Sequence, residues 1–172
     1  TMNLLAIERL TIRAGDSELV SDLSLSIAPG QRLGLIGESG SGKSLTALAA
    51  IGLLPPALRA SGSVWLAGAE VIGGRDTDLA RLRGTLTATI FQEPLTALDP
   101  LMRVGHQVAE PVARRARRDG RPVDVAREVV ALLEQVALAE PERMARAYPH
   151  EISGGQRQRV AIAMALACRP DR

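Results

Sequence analysis

Apolar and polar residues alternate through Leu5, Ile7, Leu10 and Ile12, and again through Leu23, Leu25 and Ile27, with Ser24 and Ser26 between. Alternation of this period predicts two strands, and Gly15-Asp16-Ser17 between them predicts the turn of an antiparallel hairpin. Ser63-Val64-Trp65-Leu66, closed by Gly68, predicts another strand of the same kind. Arg32-Leu33-Gly34-Leu35-Ile36 is instead a short apolar run following the Pro29-Gly30 turn, which suits a buried parallel strand. Leu45, Leu48, Ala49, Ile51 and Gly52 then recur at helical spacing until Pro55-Pro56 stops the helix. Residues 75–83 predict a short polar helix, and residues 85–91 a further strand that ends before Pro94.

From about Ala97 the strand patterns vanish and helical periodicity takes over, which predicts a second, helical unit. Val104, Val108 and Val112 share one helix face; Val125, Val129, Leu132, Leu133 and Val136 form the stripe of the next. Arg114, Arg115, Arg117, Arg118 and Arg121 lie between these stripes and read as a solvated helix end and loop. No aromatic residue interleaves with them for base stacking, so no nucleic-acid partner is expected.

Composition narrows the picture only in places. Hydrophobic residues make up 46% of the 172 residues and aromatic ones 2%, so the core is aliphatic and Trp65, Phe91 and Tyr148 stand out. A net charge of +2 argues neither for nor against a polyanionic partner. The lone Cys168 excludes an intramolecular disulfide or a cysteine metal cluster, and on its alanine-rich stretch it reads as a packing thiol. No apolar run is long enough to span a bilayer.

The chemistry concentrates in two motifs. Gly37, Glu38, Ser39, Gly40, Ser41, Gly42, Lys43 and Ser44 fit G-x-x-x-x-G-K-S, placed between a predicted strand and a predicted helix. Glycines at these positions let backbone N–H groups turn around phosphates, and the helix start adds its unpaired donors and positive dipole end. Lys43 is expected at the β- and γ-phosphates, and the Ser44 hydroxyl at a Mg²⁺ ion. The second motif is Ser153, Gly154, Gly155 and Gln156, ahead of the apolar run 160–166. Ser153 as N-cap and Gln156 three residues on form a capping box. Two glycines in a first helical turn weaken it by about 1 kcal/mol each against alanine, a cost that fits close approach of backbone to an anion.

Together the two motifs resemble the ATP-binding subunits of ABC transporters, over the whole chain. The resemblance implies an α/β fold: a P-loop NTPase (RecA-like) core, an antiparallel β subdomain and an inserted α-helical subdomain. Residues 1–94 would hold core and β subdomain, residues 95–165 the helical subdomain, and residues 166–172 the return to the core. It implies ATP and Mg²⁺ as ligands, with Gln92 as the glutamine that senses metal and γ-phosphate, and residues 153–156 as the signature that closes over ATP bound to a second subunit. Wording around residues 37–44, 90–100 and 148–151 is similar to the importers of dipeptides, oligopeptides and nickel. The partners implied are a second ATP-binding subunit, membrane permeases facing residues 95–104, and indirectly a solute-binding protein, with the chain on the cytoplasmic face of the membrane. The family's adenine-stacking aromatic residue is missing; Arg13 stands about where it belongs, either as a stacking guanidinium or as an exposed hairpin arginine.

The family's acidic strand, whose Asp anchors Mg²⁺ and whose Glu polarises water, has no candidate in these residues. Residues 95–99 end in Asp99 but run into Pro100, and residues 130–134 fit a helix stripe better. Cys168-Arg169-Pro170-Asp171 would lead into that strand, and the switch histidine would follow it; His150 sits before the signature and is not that residue. The 172 residues are therefore expected to hold nucleotide without efficient hydrolysis, and to be weakly stable alone for want of the central strand. A soluble ABC-type ATPase acting on nucleic acid or ribosomes is the alternative reading. Neither a GTPase nor a small-molecule kinase explains residues 153–156, and Asn3, the only asparagine, cannot supply a guanine-reading motif.

Overall fold

The structure, a computed structural model, describes residues 3–91 and 97–169, and the chain divides between Arg83 and Gly84 into two compact units. In the first unit, strands β1 (Leu5–Ala14) and β2 (Ser17–Ile27) form the expected hairpin around the 15–16 turn. β3 (Arg59–Leu66) pairs with the other edge of β1, and the two-residue β4 (Ala69–Glu70) closes the sheet in the order β2-β1-β3-β4, every pair antiparallel. Helix α1 (Lys43–Ala50) lays Ala49 and Ala50 into the core of Ile7, Leu10, Ile12, Val64, Leu66 and Val71. Leu79 of α2 (Asp76–Leu82) joins the same core.

The buried positions of β1 change parity from Ile7 to Leu10 and Ile12, which a regular strand forbids because its side chains alternate. A bulge resolves this. Register shifts fall between Ile7 and Leu10 against β2 and between Glu8 and Thr11 against β3, and Arg9 has a φ of 52°. The freed Arg9 N–H donates to Ser24 Oγ at 2.9 Å. On the other side Gly62, at φ 95°, lies so close to the Arg9 carbonyl that a Cβ there would collide with it.

Two expected strands are absent. Residues 32–36 take no strand conformation and are exposed, with Ile36 at 96%. Residues 88–91 are likewise irregular and exposed; near them only isolated bridges at Arg83 and Thr87 form. A parallel strand draws its hydrogen bonds from chain far away in sequence, and among the described residues nothing pairs with either segment.

The second unit is helical: α3 (Val104–Asp119), α4 (Val125–Gln135), α5 (Pro141–Arg146), a 3-10 turn (Pro149–Glu151) and α6 (Gly154–Ala167). Val104, Val108 and Val112 are fully buried against Val129, Leu132, Leu133, Val160 and Ala163, as the stripes predict. Asp124 caps α4 by accepting from the Arg127 N–H at 3.1 Å, and Gly120 in left-handed conformation ends α3. The arginine run departs from the solvated reading at one residue. Arg115 is buried, with its guanidinium 2.8 Å from Glu128 Oε1 and 3.1 Å from the Ala167 carbonyl; Arg169 reaches the same Glu128 oxygen at 2.8 Å. Arg114 and Arg118 pair at the surface with Glu110 and Asp119.

Candidate functional site

Residues 37–44 form a curled loop that delivers the chain into α1. Gly42 is its pivot: φ is 84°, the left-handed region, and a Cβ there would stand 2.5 Å from Val20 Cγ2 and 3.0 Å from the Leu19 carbonyl. Only glycine allows both that turn and that approach to β2. Thr46, which the sequence reading passed over, fastens the pivot from inside the helix. It is buried and gives the Gly42 carbonyl two bonds, from its N–H at 2.8 Å and its hydroxyl at 3.0 Å. Gly40 is also left-handed, and a Cβ on Gly37 would meet Ser41 Oγ at 2.6 Å.

Lys43 folds back across this loop. Its Nζ donates to the Gly37 carbonyl at 2.8 Å, the Glu38 carbonyl at 2.5 Å and Ser41 Oγ at 3.2 Å, which holds one positive charge at the mouth of the curl. Thr46 is the first residue of α1 to bond back to Gly42, so the amides ahead of it face outward, as at any helix start. No acidic residue occupies that first turn to repel an anion. The donor set therefore suits phosphate groups. The Ser44 hydroxyl is exposed at the same end. A Mg²⁺ ion there fits a single hydroxyl because Mg²⁺ takes few protein ligands and fills its octahedron with phosphate oxygens and water. Among the described residues no group of three or more His, Cys, Asp or Glu forms another metal site. Gln92, the other expected Mg²⁺ ligand, lies outside the described residues.

Arg13 sits opposite Glu18 in the β1–β2 ladder and is tied to it at 2.6 Å. A Ser21 hydrogen bond first, and Arg13 second, hold the Glu18 carboxyl below the usual carboxylate range. Stacking of Arg13 on a base therefore requires exchange of this partner.

The second motif takes the capping-box form expected of it. Gln156 donates its N–H to Ser153 Oγ at 3.2 Å, and Ser153 donates its own to Gln156 Oε1 at 2.8 Å. Ser153, Gly154 and Gly155 are exposed, and a Cβ on either glycine would meet nothing within 4 Å. The glycines are thus not demanded by packing inside the chain; they leave bare backbone at a helix start. His150 is exposed and stacks on Tyr148 with ring centroids 5.6 Å apart. Asp99 serves locally, its carboxylate accepting the Leu101 N–H at 2.8 Å, and residues 130–134 lie within α4, so neither alternative supplies an acidic strand.

The model of the ABC transporter family matches residues 20–171. The oligopeptide transport ATP-binding protein OppD of Mycobacterium tuberculosis is 45% identical over 152 residues, which are 88% of this chain and 25% of that protein. OppD of Escherichia coli is 44% identical over 156 residues, 91% of this chain and 46% of that protein. The chain thus spans half or less of the length of these relatives. A dimeric ATP-binding cassette solved in a post-hydrolysis state with ADP and Pi superposes with a TM-score of 0.82 at 28% identity, over 96% of this chain and 70% of that one.

Proposed function

Since the chain belongs to the ABC transporter family, we propose that it is the nucleotide-holding part of an ATP-driven importer of oligopeptides or a similar solute. The observation that carries this reading is the pair of motifs: a glycine-pivoted loop bearing Lys43, and a capped helix start with two bare glycines at residues 153–156. The names of the relatives support peptides as the cargo class. Amides of residues 37–44 cradle the phosphates, Lys43 leaves its carbonyl partners for phosphate oxygens, and Ser44 with Gln92 holds Mg²⁺. The metal, when bound, neutralises charge on the β- and γ-phosphates. Residues 153–156 serve the nucleotide of a second subunit packed head to tail; the dimeric state of the similar cassette supports the presence of that second subunit. Residues 95–104 meet a permease, and a solute-binding protein acts through it from the far side. No described helix is long and apolar enough to cross a membrane, which accords with a peripheral place on the cytoplasmic face.

The nucleic-acid alternative loses part of the arginine run, because Arg115 is spent on an internal ion pair and Arg114 and Arg118 are held in surface ones. Binding of a fluorescent ATP analogue tests the proposal. Lys43→Ala removes a charge-assisted hydrogen bond and is expected to weaken affinity roughly tenfold to a hundredfold; unchanged affinity would take the loop out of nucleotide binding. A polypeptide of these 172 residues should turn ATP over no faster than its Lys43→Ala variant, since positioning and electrostatics at the transferred phosphoryl group need the acidic strand. Turnover clearly above that variant refutes this part of the reading.

A further inference from the structure

Helix α1 stops in a glycine turn: the Gly52 N–H donates to the Ala49 carbonyl at 3.2 Å and the Leu53 N–H to the Leu48 carbonyl at 2.9 Å, with Gly52 at a φ of 68°. No basic residue lies in the last turn of α1 to meet the negative end of the helix dipole. Arg83, 31 residues beyond Gly52, brings that cation from the end of α2. Its Nη1 donates to the Gly52 carbonyl at 2.9 Å and to the Ile51 carbonyl at 3.4 Å, and its Nη2 meets Asp76 Oδ1 at 2.6 Å. The Arg83 side chain is 21% exposed and that of Asp76 87%, so the guanidinium is sunk against the helix end while its counter-ion stands in solvent. The turn is packed closely around it, since a Cβ on Gly52 would stand 2.8 Å from Leu79 Cδ1 and 3.5 Å from Arg83 Nη1.

The opposite end of the same helix carries the phosphate loop. α1 has 8 residues and is about 12 Å long, and its N-terminal end is fixed where Gly42 lies against β2. Near its C-terminal end α1 buries only Ala49 and Ala50, which offer the core little side chain to grip. Arg83 therefore provides the directed hold on that end. Two fixed points set the axis of a short helix. With the far one released, α1 can tilt about Gly42, and a tilt re-aims the amides of the first turn together with Lys43 and Ser44.

We propose that Arg83 is a positioning residue for phosphate binding: it pins the C-terminal end of α1 and so keeps the amides, Lys43 and Ser44 at the other end aimed at the phosphates. It acts through the helix, from the end away from the loop. The proposal rests on the reading above that residues 37–44 hold nucleotide.

The test uses the full-length gene product. Three quantities are measured for each variant: affinity for a fluorescent ATP analogue, affinity for inorganic tripolyphosphate by displacement of that analogue, and the thermal midpoint, with binding read well below the lowest midpoint. Arg83→Met keeps the stem of the side chain and loses the cation; it is expected to weaken both ligands alike, by roughly tenfold, within the usual range of coupling between separate sites. Arg83→Lys restores a cation with one nitrogen, which suffices because Nη1 alone makes both carbonyl contacts, and should bind within about twofold of wild type. Wild-type affinity in Arg83→Met overturns the proposal whatever its midpoint, since a mere brace of the fold lowers the midpoint and leaves the folded site unchanged. A loss for the analogue that tripolyphosphate does not share also overturns it, because the effect then lies at the base or ribose. So does an Arg83→Lys variant that loses as much as Arg83→Met. Lys43→Ala is the control: if it binds both ligands as wild type does, the underlying reading falls, and if it weakens both while Arg83→Met does not, only the role of Arg83 falls.

Discussion

Gly42→Val should abolish measurable nucleotide binding, with a loss of at least about a hundredfold in affinity. A β-branched residue at φ 84° carries roughly 1–3 kcal/mol of backbone strain. Its side chain must also displace Val20 and the Leu19 carbonyl, which a Cβ alone would approach to 2.5 and 3.0 Å; overpacking of this kind adds about 1–3 kcal/mol. The chain escapes both costs by opening the loop, which scatters the amides and removes Lys43 from the mouth of the curl. The β1–β2–β3 sheet does not depend on the loop, so circular dichroism should show it intact while a fluorescent ATP analogue no longer binds. Binding within tenfold of wild type would mean that the pivot is not needed.

The largest effect on stability is expected from Arg115→Ala. The guanidinium is 4% exposed and joins α3 to Glu128 of α4 and to the last carbonyl of α6. Truncation leaves the Ala167 carbonyl without that donor and Glu128, itself 17% exposed, with Arg169 alone. Breaking a buried pair from one side costs about 3–5 kcal/mol, and the surviving Arg169 contact places this case near the lower end. Chemical denaturation followed by helical circular dichroism should register about 3 kcal/mol. Arg115→Met with Glu128→Leu, which removes both charges and fills the space, should recover most of it. If Arg115→Ala costs less than about 0.5 kcal/mol, the cluster is ornamental.

Features whose causes lie within a few residues of one another were legible in the sequence. The hairpin over residues 5–27, helix α1 after the phosphate loop, the valine face of α3 and the capping box at Ser153 all depend on local spacing, and the structure shows each. Residues 32–36 and 85–91 carry strand-forming side chains, yet a strand also needs a ladder partner, and no pattern within a segment supplies one. The bulge at Arg9 was hidden for a related reason: the step from Ile7 to Leu10 is visible in the sequence, but only the neighbouring strands fix where the extra residue goes. Arg115 was misjudged by type. Its spacing of three from Val112 continues the stripe of Val104, Val108 and Val112, and Gln107 shares that face, so periodicity pointed inward where polarity pointed outward. Thr46 had no signal beyond its place on α1, since its bond to Gly42 matters only once the pivot is known.

Ile36 is almost wholly exposed, yet Gly37, the next residue, begins a loop curled around Lys43. The curl is held from the other side, by Thr46 and by Gly42 against β2, and residues 32–36 before it take no strand conformation. The contacts that hold the curl all lie within residues 19–46, so on a ribosome they can form as soon as β1, β2 and α1 have emerged, with Leu33, Leu35 and Ile36 exposed beside them. An exposed apolar stretch of the nascent polypeptide then adjoins the phosphate-type loop. Errors in biogenesis should accordingly begin at residues 33–36, and a chaperone that shields them would guard the nucleotide site without touching it.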